Sequence, residues 1–272
     1  MDVDLSNKTA LVTGSASGIG AAVANTLAAS GANVVISDLE SQSSRGIQLA
    51  QTINADGGRA EFQILDISDE PNWINLVEHV GAQYGGLDVL VNNAGVVLVK
   101  PLIETSLEDL RWISRVNVEG TFLGVRHTLP LLMQRGQSNP AGASIINFSS
   151  AMGIKGYPFG SMYSMTKGAI RSFTKSIALE FAQLKYNIRA NSIHPGLVDT
   201  GMVKKEAVEL SALGAMGTEN AEQMRQAFQD LNPLGRLGTP QELANAVLFL
   251  ASDLSSFVTG SEMTVDGGET AQ

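Results

Sequence analysis

The chain reads as an α/β protein built on one doubly wound, seven-stranded parallel sheet with helices on both faces. Short apolar runs alternate with longer amphipathic segments from the first residues to beyond position 190, which is how consecutive βαβ units look in sequence. A glycine-rich turn, Thr13-Gly14-Ser15-Ala16-Ser17-Gly18-Ile19-Gly20, closes the first apolar run and opens the first helical pattern. The 272 residues contain no evident linker, internal repeat or low-complexity stretch, so a single domain over 1–272 is expected.

Strands are predicted at 8–13, 33–37, 60–65, 88–91, 144–148, 187–193 and 262–265, each a short β-branched or aliphatic run. Helices fill the intervals at 18–30, 43–55, 71–84, 107–135, 161–185 and 240–252. Gly31 stops the first helix. Ser106-Leu107-Glu108-Asp109 has the residues of a reciprocal N-terminal cap, and Thr239-Pro240-Gln241-Glu242 adds a first-turn proline to the same device. Residues 137–143, rich in Ser, Asn, Pro and Gly, read as a loop. Residues 197–232 depart from the alternation. Their Met, Leu and Phe residues fall at near-helical spacing between Pro195-Gly196 and Pro233-Leu234-Gly235, the pattern of either a helical lid over a site or an ordinary surface insertion.

Composition narrows the function. A hydrophobic fraction of 44% with 17% charged residues is globular, and no apolar run approaches the roughly 20 residues that cross a bilayer. A net charge of −9 without clustered Lys and Arg argues against a nucleic-acid surface. Absence of cysteine removes disulfides, thiolate catalysis and thiolate metal sites. His79, His127 and His194 have no ligand spacing and read as packing or surface residues. The acidic start Met1-Asp2-Val3-Asp4 lacks the basic and apolar parts of a secretory signal, so the cytosol is the expected compartment and no membrane partner is expected.

The glycine turn is placed for a dinucleotide. Gly14, Gly18 and Gly20 lie between a strand and a helix, where backbone approaches a pyrophosphate and the helix N-terminus favours its charge. Asp38 ends the next strand, where a carboxylate accepts from ribose hydroxyls and repels a 2′-phosphate; capping the following helix is its other reading. With no Arg or Lys at 15–17 or 39–41, NAD is expected rather than NADP.

The second constellation is Tyr163-Ser164-Met165-Thr166-Lys167, thirteen residues after Ser150. A Tyr and a Lys four apart share one helix face, so the ammonium favours the phenolate. Moving a phenol from near ~10 to neutrality takes roughly 4 kcal/mol, which a lysine, a second cation and a hydroxyl donor can share. Alone, Tyr-x-x-x-Lys is common on solvated helices.

With these pieces in order, the chain resembles the short-chain dehydrogenase/reductase family nearly end to end. Thr13–Gly20, Asp66-Ile67, Asn92-Asn93-Ala94-Gly95, Asn117, Ser150, Tyr163, Lys167, Pro195-Gly196 and Thr200 all match its pattern. The resemblance implies a Rossmann fold whose NAD is held by Gly14, Ser17, Gly18, Ile19, Gly20, Asp38 and Leu39, with Asp66 and Ile67 on the adenine. It further assigns Asn93, Ala94 and Gly95 to the adenosine side, Pro195, Gly196, Val198 and Thr200 to the nicotinamide, and Tyr163 and Lys167 to the nicotinamide end. It implies catalysis by Asn117, Ser150, Tyr163 and Lys167: Tyr163 as general acid/base, Ser150 as donor to the substrate oxygen, Lys167 lowering the tyrosine pKa, Asn117 holding a water.

Met152, Ile154, Tyr157, Leu197 and Met202 are expected around the reacting carbon, with Leu213, Met216, Met224 and Phe228 from the lid. That lining suits an apolar secondary alcohol or ketone, cyclic, aryl-substituted or steroid-like. Segments 142–150, 191–196 and 259–272 are similar to bacterial secondary-alcohol and hydroxysteroid dehydrogenases. The family resemblance also implies a homotetramer through 240–252, 262–265, 107–135 and 161–185, with a magnesium ion at the Gln272 carboxylate as a further option. A 3-ketoacyl-carrier-protein reductase shares the motifs, but Asp38 and the acidic balance oppose it. A non-catalytic NAD-binding regulator has no need of Asn117, Ser150, Tyr163 and Lys167 together, and an extended-family epimerase needs a larger substrate domain.

Overall fold

The computed structural model describes residues 3–272; Met1 and Asp2, part of the start read for a leader, lie outside the described residues. Seven strands form one parallel sheet in the order β3-β2-β1-β4-β5-β6-β7. They are β1 (Thr9–Thr13), β2 (Asn33–Asp38), β3 (Arg59–Ile64), β4 (Val89–Asn92), β5 (Ala143–Phe148), β6 (Ile188–Pro195) and β7 (Glu262–Val265). All seven match the predicted strands to within two residues, β6 running through Pro195 and β2 through Asp38.

The strand alternation shows why both faces need cover. Ala10 and Val12 of β1, Val34 and Ile36 of β2, and Val89 and Val91 of β4 face a core closed by α1 (Gly18–Ala29), α2 (Ser43–Ala55) and α9 (Pro240–Ala251). Leu11, Val35 and Leu90, one position out of phase, face the opposite core, closed by α3 (Glu70–Tyr84), α5 (Gly120–Ser138) and α6 (Ser161–Gln183). Both predicted reciprocal caps form: Ser106 with Asp109 at α4 (Leu107–Ser114), and Thr239 with Glu242 at α9.

Two elements differ from expectation. The helix predicted at 107–135 is broken after α4 by a π-turn, Arg115–Glu119, before α5 continues to Ser138. The wider turn brings Asn117 to the loop after β4. There its Nδ2 donates to Val96 O at 2.9 Å and its Oδ1 accepts from Val96 N at 2.8 Å, hydrogen bonds that offset the poorer helix geometry. Second, the 197–232 segment contains two helices, α7 (Gly201–Ala212) and α8 (Ala221–Asp230), with a core of their own. Met224 and Phe228 of α8 are fully buried against Ala207 and Leu210 of α7.

Candidate active site

β1 and β4 are neighbours in the sheet, but the connections leaving them run to opposite sides, so the loops at their C-terminal ends part and leave a cleft. Its volume is about 690 Å³. Gly14, Ser17, Gly18, Ile19, Gly20, Asp38, Leu39, Asp66, Ile67, Asn93, Ala94, Gly95 and Thr200 line it, bringing most of the predicted dinucleotide residues together. Gly14 and Gly18 hold φ at +62° and +58°, a region strained for any residue with a Cβ. A Cβ on Gly14 would stand 2.8 Å from Ala94 Cα, so the turn rests on the β4 loop at backbone contact. A Cβ on Gly18 would reach van der Waals contact with Thr200 at 3.7 Å, so the glycine brings the start of α1 close to the loop after β6.

The two loops are joined by Thr13, whose Oγ1 accepts from Asn93 N at 3.1 Å and Ala94 N at 3.0 Å. Asn93 Nδ2 returns bonds to Thr13 O at 2.9 Å and Gly14 O at 3.0 Å. Asp38 does not cap α2. Its Oδ2 accepts from Ala16 N at 3.0 Å and its Oδ1 from Leu39 N at 2.9 Å, so the carboxylate braces the glycine turn from the end of β2. Arg45 of α2 and Arg115 of the π-turn also line the cleft, together with Trp112. Sequence reasoning missed both cations because it searched only the residues next to the turn and to Asp38, whereas Arg45 comes from the first turn of α2.

Ile19, Asn93, Gly95, Thr200 and Met202 continue into a second, narrower cavity of about 120 Å³, where Ser150, Tyr163, Lys167, Pro195, Gly196 and Val198 meet. Lys167 is buried in α6, and its Nζ donates to Phe148 O at 2.8 Å and lies 5.5 Å from the centre of the Tyr163 ring. Asn117 reaches the same helix through Thr166, whose Oγ1 accepts from Asn117 Nδ2 at 3.1 Å and donates to Tyr163 O at 2.8 Å. Thr166 thus links Asn117 to the backbone of Tyr163. Ser149 Oγ donates to Lys167 O at 2.8 Å, docking α6 on the end of β5.

Ser150 has extended backbone, and its Oγ accepts from Met152 N at 3.1 Å. Behind it is His194, a fully buried residue of β6. Its Nδ1 is 3.1 Å from Ser150 O, and since a carbonyl only accepts, Nδ1 carries the proton and Nε2 accepts from Ser192 Oγ at 2.8 Å. Burial first lowers the His194 pKa, which agrees with a neutral ring.

Of the lysine, second cation and hydroxyl donor expected to share the lowering of the tyrosine, the Ser150 hydroxyl is the one that acts on Tyr163 here. Burial pushes Tyr163 above its ordinary value, the charge of Glu206 adds to this, and only the Ser150 hydroxyl opposes them. Burial likewise lowers Lys167 to about 8. In the protein chain by itself Tyr163 is therefore a neutral phenol.

Met152, Leu197 and Met202 line the small cavity as predicted, whereas Ile154 and Tyr157 do not; Tyr157 packs against the lid core. Leu213, Met216, Met224 and Phe228 are also absent from its wall. The lid needs Met224 and Phe228 for its own core, and Leu213 and Met216 are exposed. Two carboxyls that the sequence reading did not place, Glu206 of α7 and Glu269 of the C-terminal tail, line it instead. The tail folds onto the body: Asp266 accepts from Thr270 N and Gly268 N, and Gln272 Nε2 donates to Leu231 O at 3.3 Å. Among the described residues no three His, Asp or Glu side chains cluster, and no helix is long and apolar enough to cross a membrane.

A family model described as enoyl-(acyl carrier protein) reductase matches residues 14–270. The cyclopentanol dehydrogenase of Comamonas testosteroni is 38% identical over 98% of this chain and 98% of its own length. The NADP-dependent (R)-specific alcohol dehydrogenase of Lentilactobacillus kefiri is 37% identical over 98% of each. The crystal structure of a short-chain type dehydrogenase/reductase from Mycobacterium marinum superposes with a TM-score of 0.86 at 32% identity, covering 99% of this chain and 98% of that one. With the glycine-turn cleft running into a cavity that holds Ser150, Tyr163 and Lys167, these matches are of one kind: the chain belongs to the short-chain dehydrogenase/reductase family of oxidoreductases.

Proposed function

We propose that this protein is an NAD-dependent dehydrogenase that interconverts a compact secondary alcohol and its ketone, with Tyr163 carrying the proton. The observation that carries the reading is the continuity of the two cavities: the cleft over Gly14–Gly20 opens into the space between Ser150, Tyr163 and Lys167. The pyrophosphate belongs at the glycine turn, the ribose and adenine near Asp38, Leu39, Asp66 and Ile67, and the nicotinamide near Asn93–Gly95, Pro195, Gly196, Val198 and Thr200. When bound, the dinucleotide accepts the hydride in oxidation and supplies it in reduction.

The chain's own residues handle the proton. In reduction Tyr163, held as the phenol by burial, donates to the carbonyl oxygen while Ser150 steadies the negative charge developing there. In oxidation the phenolate takes the hydroxyl proton, and its formation draws on positive charge from Lys167 and the oxidised cofactor. Asn117, fixed by Val96 and Thr166, serves as the end of a water path from Lys167 to solvent. The α7–α8 segment acts as the lid. The apolar wall of Met152, Leu197, Val198 and Met202 supports a compact apolar alcohol, and the cyclic alcohol named for the Comamonas relative supports the same class.

Asp38 supports NAD; Arg45 and Arg115 in the cleft, and the NADP-dependent relative, support the other dinucleotide. We retain NAD because Asp38, bonded to the turn at the end of β2, stands where the family pattern puts the ribose hydroxyls. The protein is further proposed to be a cytosolic homotetramer, which the exposed Phe122 of α5 and Leu179 of α6 support. The test is a panel of small cyclic, aryl and steroid alcohols with each cofactor and identification of the ketone. Tyr163→Phe should lose turnover while NAD still quenches Trp112 fluorescence. Near-normal turnover in that variant, or none with any alcohol in the wild type, rejects the reading.

A further inference from the structure

The wall of the substrate cavity is largely apolar, but the lid carries a carboxyl into it. Glu206 is 5% exposed, lines the cavity together with Ser150, Tyr163 and Lys167, and makes no hydrogen bond or ion pair among the described residues. The lysines beside it in sequence are engaged elsewhere: Lys204 faces Asp199 at 3.6 Å and Lys205 faces Glu209 at 3.6 Å. The other carboxyl of the wall, Glu269, has a partner in Lys155 at 3.4 Å. Nearby, the Tyr157 hydroxyl is buried without a partner. With no protein donor bonded to it, the Glu206 carboxyl is left open to the space a substrate enters. Burial, followed by the charges of Glu209 and Glu269, raises Glu206 to about 7, and in both of its forms the carboxyl still accepts from a hydroxyl.

We infer that the preferred substrate is a small diol, one hydroxyl reacting between Ser150 and Tyr163 and the other donating to Glu206. The inference rests on the alcohol dehydrogenase reading above and names the substrate class for that site. It also excludes hydroxy acids, whose carboxylate would meet Glu206 and Glu269 across a poorly hydrated space.

The experiment compares cyclopentanol and cyclohexanol with their ring diols and with hydroxycyclohexanecarboxylates, reading kcat/KM for each. Wild-type protein should favour the best diol over its parent alcohol by about tenfold or more, the scale of one hydrogen bond to a charged acceptor. Glu206→Leu should remove that ratio, and Glu206→Gln, which keeps an amide oxygen, should retain part of it. A defect in folding lowers both substrates together and leaves the ratio in place; should the Leu variant not fold, the wild-type panel and the Gln variant decide. Equal efficiency on diols and parent alcohols, or a ratio unchanged in both variants, overturns the diol inference while leaving the dehydrogenase reading intact. Turnover of none of the alcohols overturns both.

Discussion

Replacing Glu206 by Gln should make the protein more stable at pH 8 and leave it almost unchanged at pH 4.5. The carboxyl is 5% exposed, and its pKa is raised from 4.5 to about 7 by burial first and by Glu209 and Glu269 next. Below 4.5 both the folded and the unfolded chain hold the proton, and the neutral acid resembles the amide. Between 4.5 and about 7 the folded chain keeps a proton that the unfolded chain has released, so stability from this group falls as pH rises and levels off above about 7. With each pH unit of that window worth about 1.4 kcal/mol, the variant should gain roughly 3 kcal/mol over the wild type by pH 8. For a chain of this size that is several degrees in melting temperature, on the order of 2–4 °C per kcal/mol. The assay is paired thermal and urea unfolding of both proteins from pH 4.5 to 8. The upper limit avoids Lys167, whose lowered value of about 8 makes stability rise with pH beyond it. Parallel curves, with the same difference at both ends, would refute the burial of an ionisable carboxyl at this position.

Three further outcomes follow from the site. Oxidation limited by proton removal should quicken as pH rises, because burial pushes Tyr163 up, and Lys167→Met should move the rising limb to higher pH and weaken cofactor binding; an unmoved limb with hydride transfer rate-limiting contradicts the pairing. Asp38→Ala should raise kcat/KM with NADP relative to NAD by about tenfold, and Arg45→Ala in the same background should take part of that gain away; equal wild-type efficiency with both cofactors shows that Asp38 does not face the ribose. Deleting residues 266–272 should lower both melting temperature and turnover, since Asp266 packs on Gly196 and Glu269 lines the cavity; a truncated protein with unchanged melting and activity removes the tail from the site.

The fold was legible because its information is local and repeated. Alternation along β1, β2 and β4 divides residues between two cores, and most strands end at or beside a polar or glycine residue that turns the chain. The dinucleotide cleft was legible for the same reason: Gly14, Gly18 and Gly20 mark a turn whose φ values and close approaches only glycine satisfies. Three kinds of feature escaped. The π-turn at Arg115–Glu119 depends on Asn117 meeting Val96, two segments that the sequence does not bring together. His194 looked like a packing residue because nothing in sequence places β6 behind the Ser150 carbonyl. Arg45 and Arg115 enter the cleft from helices, and single-sequence reading followed strand ends.

The lid shows the limit most directly. Its Met and Phe spacing was taken as substrate lining, and the physical competition went the other way: α7 and α8 together bury Met224, Phe228 and Leu210 in a small core, because two short helices projecting from a sheet need one. Glu206, four residues before Leu210, lies on the same buried stripe of α7, at the end of it where Met202, Val203 and Glu206 line the cavity. A single Glu on an amphipathic helix ordinarily marks the solvent side. Here Glu206 stands on the buried stripe with Ala207 and Leu210, while Lys204 and Lys205 hold the exposed side. The same packing that takes the large apolar residues out of the pocket leaves a carboxyl there, which is why the polarity of the substrate, unlike the reaction, depends on tertiary structure.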